Sequence, residues 1–109
     1  MTREFIRTTY FDKQWDKMGL TDEDLRELEN HLLENPGAGD TIKDTGGAIK
    51  LRWSLPGIGK SGGIRVIYID FPHKEHAHLI LCYPKSAQED LTEDQKKQLR
   101  QVIRIIKGE

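Results

Sequence analysis

Apolar positions in the first third of the chain recur at helical spacing. Phe11, Trp15 and Met18 fall at i, i+4 and i+7, and Gly19 follows as a stop, so the spacing predicts a short helix. Thr21 then precedes Asp22, Glu23 and Asp24. Its hydroxyl suits an N-cap, and the three carboxylates suit the positive end of a helix dipole. Leu25, Leu28 and Leu32 form the apolar stripe of this second helix, and Asn35-Pro36-Gly37 ends it. Both stripes read as core. Arg3–Arg7, ahead of them, reads as a short edge strand.

From Ala48 the period changes from 3.6 to two. Ile49, Leu51, Trp53 and Leu55 alternate with Lys50, Arg52 and Ser54, which predicts a half-buried strand whose outward face carries two cations. Pro56–Gly63 is a glycine-rich connection. Ile64–Phe71 is apolar on both faces except at Arg65 and, near its end, Asp70, the pattern of a central strand. Pro72–Glu75 turns the chain, and His78–Tyr83 gives another apolar strand, with Lys85 just beyond it. Thr92 and Gln95 have capping-box spacing, and Leu99, Val102, Ile103 and Ile106 form the stripe of a closing helix. Two helices, a three-strand meander and a final helix predict an α+β layer fold in one domain, residues 1–109.

Composition narrows the function. Of the 109 residues, 36% are hydrophobic and ten are glycine, which supports one small core. No apolar run of 18 residues exists and the N-terminus lacks a leader pattern, so a soluble, cytoplasmic protein without a membrane partner is expected. The lone Cys82 can form neither an internal disulfide nor a cysteine zinc cage. Net charge is −1, but it is polarised. Residues 1–46 hold six Lys/Arg against eleven Asp/Glu, and residues 47–88 hold six against two. Between Asp44 and Asp70 there is no acidic residue.

Two phosphate-loop patterns fail on context. Gly57-Ile58-Gly59-Lys60-Ser61-Gly62 spells a dinucleotide fingerprint, but a strand follows where a helix N-terminus is needed. Gly59-Lys60-Ser61 resembles the end of a P-loop, yet Ser54 stands where its first glycine belongs. His73, His76 and His78 lie close together, but without a fourth strong ligand they read as ordinary surface histidines, and no metal or cofactor is expected. Cys82 reads as a small core hydrophobe, with a catalytic Cys–His pair as the lesser alternative.

The cations of the middle segment remain. Lys50 and Arg52 share a strand face, Lys60 lies in the glycine-rich loop, Arg65 on the next strand and Lys85 after the last. Antiparallel pairing would gather them with Tyr83 on one surface. Cations, an aromatic ring and no carboxylate suit an RNA phosphodiester. Cleavage without metal needs a base for the 2′-hydroxyl, a proton donor for the leaving oxygen and positive charge on the phosphorane.

The stretch Gly46-Gly47-Ala48-Ile49-Lys50-Leu51-Arg52-Trp53, followed by Pro56-Gly57-Ile58-Gly59-Lys60-Ser61-Gly62-Gly63-Ile64-Arg65-Val66-Ile67-Tyr68, resembles the RelE/ParE toxin superfamily, and within it the HigB-like branch. Leu81-Cys82-Tyr83-Pro84-Lys85 and Glu89-Asp90-Leu91-Thr92 resemble that branch's closing strand and the lead-in to its last helix. The resemblance implies a RelE-like microbial RNase fold, with N-terminal helices and a C-terminal helix packed on a small antiparallel sheet. It implies a type II toxin that cleaves mRNA on the ribosome without metal and is neutralised by a helix-turn-helix antitoxin. Lys60, Arg65 and Lys85 would then be catalytic, and Lys50 and Arg52 would position RNA beside Tyr83. Two alternatives stay open. One is a ParE-type inhibitor of DNA gyrase. The other is a toxin-derived binding domain with weakened catalysis, suggested by Ile49 and Ser61 where the branch favours basic residues.

Overall fold

The computed structural model describes residues 4–54, 63–71 and 74–108. Its helices are α1 (Thr9–Lys17), α2 (Asp22–Glu34) and α3 (Glu93–Lys107), and its strands are β1 (Glu4–Arg7), β2 (Asp40–Thr41), β3 (Ile49–Trp53), β4 (Ile64–Phe71) and β5 (His76–Pro84). They form one sheet in the order β1-β5-β4-β3-β2. The α+β layers are those the sequence pattern predicts, and β4 is the central strand. Two features go beyond the pattern: β2 is a two-residue strand with no signature of its own, and β1 joins β5 in parallel. The other pairs are antiparallel.

The predicted caps are present. Thr21 accepts from Asp24 N–H while the Asp24 carboxylate accepts from Thr21 N–H, and Thr92 and Gln95 reciprocate in the same way. Each arrangement satisfies two amides that a helix start leaves without an intrahelical acceptor.

β4 sends alternate residues to two cores. Ile64, Val66 and Tyr68 meet Phe11, Trp15, Leu28 and Leu32 beneath α1 and α2, whereas Ile67 and Ile69 meet Leu99 and Ile103 of α3. Phe11 and Trp15 stack at 5.5 Å, and each such burial contributes roughly 1.5–3 kcal/mol. Arg100 and Lys107 of α3 donate to the carbonyls of Asp44 and Gly46, tying that helix to the loop before β3. In the connection from α2 to β2, Gly39 has φ of +114°, and a Cβ there would lie 2.5 Å from the Lys50 carbonyl oxygen, so only glycine lets β3 pass this close.

β5 carries one irregularity that matters for the site. Ile67 pairs with Leu81 but Tyr68 pairs with Leu79, so Ile80 is an extra residue, a β-bulge. The bulge inverts the parity of β5. Leu79 and Cys82 both face α1 and α2, and Ile80 and Tyr83 both face α3. Thr8 holds it in place: its hydroxyl donates to the Ile80 carbonyl and accepts from Phe11 N–H as the N-cap of α1.

Candidate nucleic-acid interface

Strand register builds the centre of the site. Arg52, Arg65 and Tyr83 are successive cross-strand partners on β3, β4 and β5, and the next row holds Lys50, Ile67 and Leu81. Lys50, Arg52, Arg65 and Tyr83 therefore converge on the face that carries α3. Arg65 is almost wholly enclosed, with its side chain 6% exposed, while Arg52 is 65% exposed. Two arginines directly opposite each other repel unless something sits between them.

That something is a carboxylate. Glu89, in the loop before α3, has its Oε2 2.7 Å from Arg65 Nη2, accepts from the same nitrogen at Oε1 (3.0 Å), and lies 3.6 Å from Arg52 Nη2. Asp90 accepts from the Lys50 ammonium at 2.7 Å. The expected carboxylate-free surface is thus corrected: both anions arrive from the end of the chain, and their counter-charge lets a buried guanidinium sit in the sheet. The hydrogen bond from Arg65 holds the Glu89 carboxyl below its ordinary range, and that from Lys50 does the same for Asp90. These were the residues that sequence reasoning missed. The available signal was a pair of acids just after the last strand, close to a segment of six cations and two acids.

The loop backbone is fixed as well. The Tyr83 hydroxyl donates to the Glu89 carbonyl (3.1 Å), and Gln88 Nε2 donates to the Asp90 carbonyl (3.0 Å) and to Gln95 on α3 (2.9 Å). Tyr83 is buried, and burial pushes its phenol up to about 12. It forms part of the floor that seats the Glu89 loop.

Lys85 follows β5 as an exposed side chain, with its backbone N–H bonded to the Gly63 carbonyl. Lys60 lies outside the described residues, as do Leu55 and His73. Cys82 is buried behind α1, and burial pushes its thiol up to about 12, the opposite of the lowered value that a nucleophilic thiolate needs. His76 meets the Glu4 carboxylate at 3.3 Å, and His78 packs edge-on against Phe71. Among the described residues no helix is long and apolar enough to cross a membrane.

An α+β layer of helices on one sheet is the frame that the resemblance implied, and a comparison with known families agrees on the family. Residues 3–108 match the family described as the RelE toxin of the RelE / RelB toxin-antitoxin system. The chain belongs to the RelE toxin family, and members of that family pair with antitoxins in toxin–antitoxin systems.

Proposed function

We propose that this chain is a toxin of the HigB-like kind, a metal-independent endoribonuclease that cuts mRNA on the ribosome. The observation that carries this reading is the row Arg52–Arg65–Tyr83 with Lys50 beside it, which puts three cations on one sheet face. In the reaction a 2′-oxygen attacks the adjacent phosphorus, the bond to the 5′-oxygen breaks, and a 2′,3′-cyclic phosphate and a 5′-hydroxyl result. The 2′-hydroxyl proton passes to a base and the departing oxygen takes one from an acid. Arg65 offsets the charge of the phosphorane, Lys60 and Lys85 supply further charge or proton transfer, and Lys50 and Arg52 hold flanking phosphates. A cytoplasmic helix-turn-helix antitoxin is the expected neutralising partner.

Primer extension on a defined mRNA in a translating extract tests the reading, with the same RNA also offered free of ribosomes. Cuts that need ribosomes and vanish with Arg65→Ala are expected. Intact message with arrested growth would overturn the nuclease reading. One observation favours the second reading, inhibition of a protein target such as DNA gyrase: Glu89 and Asp90 already pair the sheet cations, and a protein inhibitor does not need those cations free. DNA damage without message loss would select it.

A further inference from the structure

The ion pairs that quiet the cationic face are not the best these groups can make. Arg65 presents a single nitrogen, Nη2, to both Glu89 oxygens, while Nη1 turns to the Ile64 carbonyl. Arg65 Nε is buried and has no hydrogen-bond partner among the described residues, and Glu89 Oε2, though close to Nη2, receives no well-aligned hydrogen bond. A forked guanidinium–carboxylate pair would use two nitrogens. This one leaves a donor of a nine-tenths buried arginine unmet, under a carboxylate that is itself 41% exposed. The backbone of residues 89 and 90 is tied by Tyr83 and Gln88, which leaves side-chain rotation as the movement that would carry either carboxylate into solvent. Beside the Lys50–Asp90 pair a cleft of about 260 Å³ opens, with Lys96 and Asp40 also on its walls.

We propose that Glu89 and Asp90 occupy, as built-in carboxylates, the two positions at which this chain takes RNA phosphates, and that substrate binds by exchanging phosphate for carboxylate at Arg65/Arg52 and at Lys50. The inference rests on the RNA reading above. A tetrahedral phosphate brings more acceptor oxygens than the carboxylate it replaces, so it can meet the Arg65 donor now left over. The empty protein meanwhile keeps no bare cation buried. In this form the acidic pair weakens binding of stray anions, and only a substrate that engages several positions together displaces both carboxylates.

Inorganic pyrophosphate and an uncleavable 2′-O-methyl RNA oligonucleotide are the probes. Pyrophosphate is followed through the Arg65 Nε–H signal by NMR and the oligonucleotide by fluorescence anisotropy, for the full chain and for Glu89→Gln, Asp90→Asn and the control Asp94→Asn. Exchange predicts that Asp90→Asn and Glu89→Gln each tighten pyrophosphate binding about two- to fivefold, the weight of one partly exposed ion pair. It also predicts tighter RNA binding with an unchanged salt slope, since the same phosphates are contacted, and no change for Asp94→Asn. Unchanged or weaker pyrophosphate binding in the variants would overturn exchange, because the carboxylates would then be holding the cations in place. So would equal tightening by Asp94→Asn, which would reduce the effect to net charge. If Glu89→Gln does not fold, Asp90→Asn, altered at a largely exposed side chain, decides alone. Tightened pyrophosphate binding with no RNA bound by any form upholds the anion exchange and removes the RNA reading. Tight RNA binding that the variants leave unaltered does the reverse.

Discussion

Arg65 of the central strand and Glu89 of the loop before α3, 24 residues apart in the chain, form an ion pair at 2.7 Å. This contact joins the sheet to the start of the last helix. It also places a carboxylate between two arginines that the strand register sets opposite each other.

Arg65→Ala should lower ribosome-dependent cleavage by about 10²–10³-fold, the usual cost of one charge-stabilising donor. Circular dichroism should show the fold retained, since Glu89 can turn to water once its partner is gone. Primer extension with undiminished cuts would remove Arg65 from the reaction.

Acid should weaken the fold through the same pairs. Glu89 and Asp90 both have carboxyls held below their ordinary values of 4.5 and 3.8. Their stabilising effect is therefore complete above those values and is lost as pH falls through the lower folded-state values. Denaturant midpoints measured between pH 7 and pH 2.5 should fall in the acid range, and the double variant Glu89→Gln/Asp90→Asn should show a shallower fall. An identical acid slope in both proteins would contradict the linkage.

Tyr83 should resist ionisation. Spectrophotometric titration should find a tyrosine component ionising near pH 12, and Tyr83→Phe should diminish it. The substitution also leaves the Glu89 carbonyl without its donor, at a cost of about 1 kcal/mol in chemical denaturation.

Deleting Ile80 should leave the register intact, because it removes the one extra residue and keeps Leu79 opposite Tyr68 and Leu81 opposite Ile67. Cys82 and Tyr83 would keep their faces, and the loss would be that of the Ile80 side chain packed against α3 and of the carbonyl that Thr8 holds. Ile80→Val, which keeps the count, should cost only about 0.5–1.5 kcal/mol. Thermal melting of both variants measures the packing loss, and a deletion variant that loses the tyrosine component near pH 12 would show that the faces had exchanged after all.

Thr8→Ala removes both the cap of α1 and the hydroxyl on the bulge carbonyl. A loss of about 1–2 kcal/mol is expected, above that of an ordinary exposed cap. A loss no larger than that of Thr21→Ala, at the start of α2, would show the bulge contact to be idle.

Local chemistry alone determined much of this protein. The 3.6-residue stripes, the Thr21 and Thr92 caps and the apolar run of β4 are short-range signals, and each element formed where its own residues called for it. The family pattern and the cations Lys50, Arg52 and Arg65 were legible for the same reason. Tertiary structure decided the rest. β2 exists only because β3 offers it a partner, and β1 runs parallel to β5 because α1 packs beyond it and Thr8 fastens that junction to the bulge. The bulge itself left no mark in a nearly continuous apolar strand, since period-two reasoning assumes that no residue is extra. Above all, the sequence places Glu89 and Asp90 beside a helix start, where acids are common. That they instead neutralise three cations on two distant strands is a matter of which side chains the folded sheet brings within 4 Å.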